Sequence, residues 1–184
     1  MLPLKDCKVT SPYGIERTIN GVKSVHKGID LISNSGDREV KSIGDGVIRG
    51  NFNDPKGFGN YVSIEHLDGK RVIYAHLESF KKKAGDVVRA GDVIGIEGST
   101  GRSTGIHLHL EVREAPYNTN NRINIADYLG IENKVGIVKE KGLTKEEQKE
   151  LIKNKAGLDD NTIQYLDMYR YNNDLIRKLA KAMK

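Results

Sequence analysis

The chain has 184 residues, of which 37% are hydrophobic and 30% are charged, and this length allows one domain with a real core plus an extension. It contains no run of about 18 apolar residues, which excludes a membrane-spanning helix, and its single cysteine excludes an internal disulfide bond. The net charge of +5 favours anionic polymers as partners. Because the lysines are scattered, no nucleic-acid partner is expected.

The first chemistry-bearing cluster is HKGID, in which His26 and Asp30 stand four positions apart. Gly28 lets the backbone bend or approach another segment closely, and Leu31 and Ile32 indicate the start of a strand. Histidine and aspartate on such a turn can bind one metal ion.

From Lys8 to about Arg113 the chain has the pattern of an all-β domain, with short strands separated by glycine and aspartate turns. The strand candidates include REVKSI, GVIRG, NYVSIEHL, RVIYAHL and VIGIEG. Gly-Asp pairs at residues 44–45, 85–86 and 91–92 predict tight connections in which glycine takes a positive φ.

Two loops are candidates for the walls of a cleft. GSTGRSTG (98–105) is interpreted as one wall. NFNDPKGFG (51–59) is interpreted equally well as a second wall or as a plain surface connector. His66, which ends a strand before the Asp68–Gly69 turn, is interpreted as a structural or surface residue.

A period-two pattern surrounds the HLH segment, where Ile106, Leu108 and Leu110 alternate with His107 and His109. Successive side chains of a strand point to opposite faces, so both histidines project to one side while the aliphatic residues enter a core. Together with HKGID, this segment predicts a site in which two histidines and an aspartate bind a borderline metal such as zinc.

The composition changes after Glu114. APYNTNNRINIADYLG predicts a loop that crosses the β domain and ends in a short helical turn. LTKEEQKELIKNKAG predicts a helix with Thr144 as N-cap, Glu147 completing a capping box and Gly157 as the stop. A second helical pattern begins at residues 159–160, and the two predict an amphipathic hairpin that packs on the β domain or on itself.

The quoted motifs carry a family resemblance. HKGIDL, GNYVSIEH, VIYAHL and AGDVVRAGDVIGIEGSTGRSTGIHLHLEV, in this order, resemble the LytM/lysostaphin-type zinc metallopeptidases, the M23 family of peptidoglycan endopeptidases. The similarity extends from about Thr10 to Glu114. It implies a LytM-like groove on antiparallel β-sheets, followed here by an α-helical extension. We therefore expect an M23-like catalytic domain at residues 1–132 and a helical extension at residues 133–184.

Carried over residue by residue, the resemblance implies that His26, Asp30 and His109 bind one Zn²⁺ per chain and that His76 and His107 are the catalytic histidines. The chain lacks HExxH, so these two histidines must handle the proton and stabilise the oxyanion, in an order that the sequence does not reveal. Some family members also use a tyrosine, but Asn20 stands six positions before His26, so that role is not carried over.

Glu111 and Glu65 are candidates for orienting a histidine of the site, because metal-bound imidazoles usually donate their other N–H. The preferred interpretation is that both residues face solvent on their strands and do not contact the site.

The expected function is hydrolysis of peptide bonds in peptidoglycan stems or cross-bridges at the bacterial cell wall. The amino terminus has no apolar run of the length a secretory signal needs, so a phage-encoded lysin or tail-associated enzyme delivered by a virion is one expectation. A virion or wall partner for the C-terminal helices is the alternative to packing. A non-catalytic assembly or wall-binding module on the same fold is the alternative function.

Overall fold

The computed structural model describes residues 1–19, 21–138, 145–157, 159, 162 and 180–182. By its internal contacts the chain divides into two compact units, Met1–Glu140 and Lys141–Lys184. The domain boundary after residue 132 stays a prediction; in the structure, the short strand Gly136–Ile137 pairs with Cys7–Ser11 inside the first unit. No helix in the described part of the chain is long and apolar enough to cross a membrane.

The described residues form many short strands and two helices. In chain order they are β1 (Cys7–Ser11), β2 (Glu16–Ile19), β3 (Val22–Val25), β4 (Ile29–Ser33), β5 (Glu39–Lys41), β6 (Gly46–Asp54), β7 (Gly59–His66), β8 (Arg71–Leu77), β9 (Ser79–Phe80), β10 (Val87–Val88), β11 (Val93–Ile96), β12 (Leu108–Arg113), β13 (Arg122–Ile123), α1 (Ile125–Leu129), β14 (Gly136–Ile137) and α2 (Lys145–Ala156).

One large antiparallel sheet dominates the described residues of the first unit. Its strand order is β10-β6-β7-β8-β12-β4-β1-β14, with β13 paired to β12 beside this path. A smaller sheet has the order β5-β11-β9, and β2 and β3 form a separate hairpin. The predicted all-β domain with antiparallel sheets is confirmed.

The core covers one face of the large sheet. Along β12, Leu108, Leu110 and Val112 are fully buried, because alternate side chains of a strand share a face. Neighbouring strands add the buried residues Ile29, Leu31, Val62, Ile64, Val72 and Tyr74. Burying each large aliphatic side chain stabilises the fold by about 1.5–3 kcal/mol, so this face holds the strands in register.

The opposite face of the same strands carries polar residues. In β12, His109 lies directly opposite Asp30 of β4 on one side and Ala75 of β8 on the other. Residues paired in this way have Cα atoms about 4.5–5.5 Å apart. The backbone pairing of β4 with β12 therefore brings two of the predicted metal ligands side by side.

The Gly-Asp pairs occupy turns, as predicted, but with one difference in backbone conformation. Gly85 and Gly91 have φ of 90° and 95°, and the Asp86 carboxylate accepts a hydrogen bond from the backbone N–H of Lys83 at 2.9 Å. Gly44 is not among the residues with positive φ. It is required for space instead, because a Cβ there would lie 2.7 Å from Nδ1 of His66.

The helical predictions agree with the described residues. The helical turn after the long loop is α1, whose N-cap Asn124 accepts a hydrogen bond from Ala126 N–H at 3.0 Å. In the second unit, α2 is followed by Gly157 with a φ of 64°, as expected for a helix stop. Thr144 and most of the second predicted helix lie outside the described residues, so the hairpin stays a prediction.

Candidate metal centre and catalytic histidines

Three buried side chains converge on one point at the polar face of the sheet. His26 Nε2 lies 3.1 Å from His109 Nδ1 and 3.2 Å from Asp30 Oδ1, and His109 Nδ1 lies 2.7 Å from the same carboxylate oxygen. This set is the group of metal-ligand residues found among the described residues. The structure thus brings together the three side chains that the resemblance implied as ligands.

Gly28 makes this convergence possible. A Cβ at Gly28 would lie 2.2 Å from the carbonyl oxygen of Leu110 and 2.7 Å from Cε1 of His109, which is closer than any side chain can approach. The segment between His26 and Asp30 therefore lies directly against β12. The close approach that the glycine in HKGID suggested is present.

The outer nitrogen of His26 is held by the backbone of the preceding segment. His26 Nδ1 lies 2.9 Å from the carbonyl oxygen of Pro12 and 2.9 Å from Ser11 Oγ. A carbonyl can only accept, so Nδ1 carries the proton and Nε2 presents its lone pair to His109 and Asp30. This tautomer is the one a metal ligand needs.

The outer nitrogen of His109 faces Glu111. Its Nε2 is buried without a hydrogen bond and lies 3.5 Å from Glu111 Oε1. The other oxygen, Oε2, accepts from Arg113 Nη2 and from Arg122 Nε, each at 2.7 Å. Glu111 is only 2% exposed, so the expectation of a solvent-facing residue was wrong. The overlooked signal is its period-two spacing from His109, which places both residues on the polar face.

In each of the two carboxylates of the site, one oxygen is paired with arginine side chains. Asp30 Oδ2 pairs with Arg17 Nη1 at 3.0 Å, which leaves Oδ1 for the histidines. Burial alone raises the pKa of Asp30, but the neighbouring side chains of His109 and His26 hold it well below its usual range. Arg17, from the β2–β3 hairpin, was not recognised in the sequence, because no local pattern links it to Asp30.

His109 lies between these two carboxylates, and its own ionisation reflects them. Burial disfavours the protonated imidazole, but the carboxylates of Asp30 and Glu111 raise the pKa of His109 above its ordinary value. The fold therefore favours a positive charge at this position. A bound divalent cation would supply such a charge.

His76 and His107 stand beside the convergent set, with ring centroids 4.7 Å apart. His76 Nδ1 lies 2.8 Å from the carbonyl oxygen of Thr100, and His107 Nδ1 lies 2.8 Å from that of Gly105. Each ring therefore carries its proton on Nδ1 when neutral and leaves Nε2 as an acceptor. His107 Nε2 lies 3.9 Å from Asp30 Oδ1, so all five predicted site residues share one cluster.

Burial keeps His76 neutral. Loss of hydration lowers its pKa to about 4, against a smaller opposing effect of the hydrogen bond to the Thr100 carbonyl. His76 also has a φ of 62°, which is uncommon for a residue other than glycine. Its N–H donates to the carbonyl of Phe58 at 2.9 Å. Nothing in the sequence around VIYAHL indicated this backbone conformation.

A cleft crosses the cluster, and both predicted loops line it. Asp54, Gly57 and Phe58 come from residues 51–59, and residues 101–104 come from the glycine-rich loop before HLH. The expectation of a loop over all of 51–59 was wrong, because β6 extends to Asp54 and β7 begins at Gly59, so that only residues 55–58 form a turn. The loops touch each other, since the N–H of Arg102 donates to the carbonyl of Gly57 at 2.9 Å. The structure thus favours the cleft-wall interpretation of residues 51–59 over a plain connector.

The other candidate residues lie away from the cluster. His66 is buried, with Nδ1 3.2 Å from the carbonyl of Asp45, which fits the structural role expected for it. Glu65 pairs with Arg49 and Arg71. Burial raises the pKa of the Cys7 thiol to about 11, so Cys7 is an inert core residue. Asn20 lies outside the described residues.

The donor set fits zinc. Two imidazole nitrogens and one carboxylate oxygen are a common protein ligand set for a catalytic zinc ion. Tetrahedral bonds of about 2.0–2.1 Å separate neighbouring ligand atoms by about 3.3 Å, and the three separations here are 2.7, 3.1 and 3.2 Å. The residues present could therefore hold one zinc ion with only small movements.

Comparison with known proteins identifies the family. The model of peptidase family M23 matches residues 24–125, more than half of the chain. The DD-carboxypeptidase/endopeptidase Mpg of Neisseria meningitidis serogroup B is 44% identical over 113 residues, which are 60% of this chain and 25% of Mpg. The chain thus spans about a quarter of the length of this curated relative.

Two solved structures share the fold. The catalytic domain of the antimicrobial peptidase lysostaphin from Staphylococcus simulans superposes with a TM-score of 0.56 and 34% identity, over 65% of this chain and 86% of that one. A zinc containing peptidase from Vibrio cholerae gives a TM-score of 0.55 and 30% identity, over 67% and 37% of the respective chains. The matched region contains the whole histidine and aspartate cluster, and the chain belongs to peptidase family M23.

Proposed function

We propose that this chain is a zinc-dependent endopeptidase that hydrolyses peptide bonds of peptidoglycan stems or cross-bridges at the bacterial cell wall. The observation that carries the proposal is the convergence of His26 Nε2, Asp30 Oδ1 and His109 Nδ1 within 3.2 Å of one another. We assign these three residues as the ligands of one zinc ion. Family membership and the zinc containing relative from Vibrio cholerae support this assignment.

A zinc ion at this site would supply positive charge that polarises the scissile carbonyl and acidifies water toward neutral pH. The protein supplies the proton handling. His76 and His107 each hold Nδ1–H on a backbone carbonyl and direct Nε2 as the available acceptor. One can accept the proton of the attacking water at Nε2 and then deliver that proton to the leaving amine. The other can donate to the oxyanion after its Nε2 takes up a proton from solvent.

Two further residues are proposed to position the ligands. Glu111 offers Oε1 to the outer N–H of His109, while Arg113 and Arg122 hold its other oxygen. Such carboxylate–histidine pairs orient metal-bound imidazoles. Arg17 has the equivalent function for Asp30, because it restricts the carboxylate to one oxygen at the site.

The substrate class rests on the relatives. Mpg is named a DD-carboxypeptidase/endopeptidase, and peptide bonds between D-residues are typical of peptidoglycan. The open cleft on the sheet can admit an extended peptide between residues 51–59 and the loop before HLH.

The test combines metal analysis with turnover of purified sacculi. The wild-type protein should bind one equivalent of zinc and release peptides from sacculi. His109→Ala should lose zinc, whereas His76→Ala and His107→Ala should keep zinc and lose about 100-fold or more in rate. His66→Ala, on the same sheet but outside the cluster, is the control for folding effects. Unchanged turnover with zinc retained in the three site variants would contradict the proposal.

A further inference from the structure

The cleft carries cationic side chains around the histidines. Arg17 and Arg102 line both pockets of the cleft that His76 and His109 also line, and Lys27 lines one of them. Lys27 and Arg102 are exposed, and Arg17 is partly exposed with 29% of its side chain accessible. A ligand bound beside His76 and His109 therefore lies near positive charges.

The acids of the cleft are already engaged by the protein. Asp30 faces the histidines and Arg17, and Glu111 pairs with Arg113 and Arg122. The Asp54 carboxylate accepts the N–H of Phe58 at 3.2 Å within the same segment. The three cations that line the cleft have the same total charge as the three acids just named. A bound divalent ion and the two arginines paired with Glu111 would therefore make the net charge of the site positive.

Peptidoglycan cross-links differ in charge beside the scissile bond. A glycine bridge has no ionisable side chain and, within the chain, no free carboxylate. In a direct cross-link to a diaminodicarboxylic acid, the carbon bonded to the amide nitrogen carries a free carboxylate. An arginine binds a carboxylate through parallel N–H bonds. Because a guanidinium has five N–H donors, Arg17 can contact Asp30 and a substrate carboxylate together.

We infer that the cleft selects cross-links with a free carboxylate next to the scissile amide, and that Arg17 and Arg102 recognise this group. The inference rests on the proposed function, since it concerns the substrate of the same site. It excludes uncharged glycine bridges as the preferred substrate. It also predicts that salt weakens substrate binding, because screening reduces attraction between exposed charges.

The decisive comparison uses two synthetic cross-linked peptides and the zinc-loaded wild-type protein. The peptides are identical except that one carries a free carboxylate beside the scissile amide and the other a carboxamide. We expect kcat/KM to be at least about tenfold higher for the carboxylate, since hydrogen bonds to a charged group are roughly twice as strong as those between neutral groups. The difference should lie mainly in KM and shrink in high salt. A pentaglycine-bridged peptide should be the poorest substrate.

Two variants and one control test which arginine side chains recognise the substrate carboxylate. Arg102→Gln should reduce the preference for the carboxylate peptide over the carboxamide peptide. Arg89→Gln removes an exposed arginine outside the cleft and should leave the preference as in the wild-type protein. Arg17→Lys keeps a charge beside Asp30 but loses the planar fork; it should reduce the preference, and its zinc content is measured alongside.

The outcomes separate this inference from the proposed function. Cleavage of sacculi together with equal rates on the two peptides overturns the carboxylate inference alone, as does faster cleavage of the pentaglycine bridge. Absence of cleavage of sacculi and of every peptide by the zinc-loaded protein overturns the proposed function and this inference with it.

Discussion

Replacing Glu111 with glutamine tests whether the buried carboxylate orients the metal ligand His109. The substitution keeps the shape of the side chain but removes the negative charge that faces His109 Nε2 at 3.5 Å. It also leaves Arg113 and Arg122 without the carboxylate that accepts from both of them. We expect two separate losses, one in zinc affinity and one in stability of the metal-free protein.

The two losses can be given a size. Changes to the outer partner of a metal-bound histidine typically cost 10–100-fold in metal affinity, which is about 1.4–2.7 kcal/mol. For stability, burial alone raises the pKa of Glu111, but His109 and Arg122 lower it to about 2 from an ordinary 4.5. This preference for the charged form corresponds to about 3 kcal/mol, near the 3–5 kcal/mol lost when one partner of a buried ion pair is removed.

The assay must separate the two effects. Zinc affinity is measured by competition with a chromophoric chelator, at a temperature where circular dichroism shows that both proteins are folded. Stability is measured by urea unfolding of the metal-free proteins. Because unfolding of the free protein does not include the zinc ion, a purely structural role of Glu111 would change only the second measurement.

Glu65→Gln is a matched control. Glu65 also accepts from two arginines, Arg49 and Arg71, but no histidine belongs to its group of partners. It should lose little stability, because its pairs are more exposed, and it should bind zinc like the wild-type protein. If Glu111→Gln binds zinc as tightly as Glu65→Gln does, the orienting role of Glu111 is refuted.

Three other changes test the packing, the ionisation and the metal dependence of the domain. Gly28→Ala should lower zinc affinity and destabilise the protein by about 1–3 kcal/mol, because its Cβ would collide with Leu110 and His109. The control is Gly105→Ala, since a Cβ at Gly105 has open space. Equal losses of zinc affinity and stability in the two variants would contradict the packing role of Gly28. Burial lowers the pKa of His66 below 6.5, so the free energy of unfolding should fall as the pH drops below 6.5, where the unfolded chain binds the proton more readily. Urea titrations of His66→Gln should show a weaker dependence of this free energy on pH. An unchanged pH dependence would contradict the role given to His66. Removing zinc with a chelator should abolish turnover and, relative to zinc at 1,000 times its Kd, lower the unfolding free energy by about 4 kcal/mol; a melting temperature that does not respond to zinc would oppose the assigned site.

Local pattern predicted the parts of the site that depend on one strand. The alternation around HLH correctly placed Leu108 and Leu110 in the core and the histidines on the other face, because a strand has a period of two. It was wrong for Ile106, which precedes β12 and is exposed. The glycine in HKGID was correctly connected with close approach of the backbone. The assignment of ligands depended on the family resemblance, since the pairing of Asp30 with His109 joins residues that are 79 positions apart.

The parts that the sequence did not reveal depend on contacts between distant segments. Arg17 reaches Asp30 from a separate hairpin. Glu111 is buried because Arg113 and Arg122 satisfy its charge, whereas a lone glutamate on a strand is usually exposed. The positive φ of His76 has no local signature in the sequence, and the residue that accepts its N–H, Phe58, is 18 positions away in the chain.

The direct cross-strand pairing of Asp30 and His109 has a consequence for how this domain can change over time. A slip of β12 by one residue relative to β4 would rotate every side chain of the strand to the opposite face, which would bury both histidines of HLH in the hydrophobic layer. Insertions and deletions are therefore excluded from these two strands, while the surrounding loops can vary in length. New substrate preferences should arise by remodelling the loops around an unaltered centre.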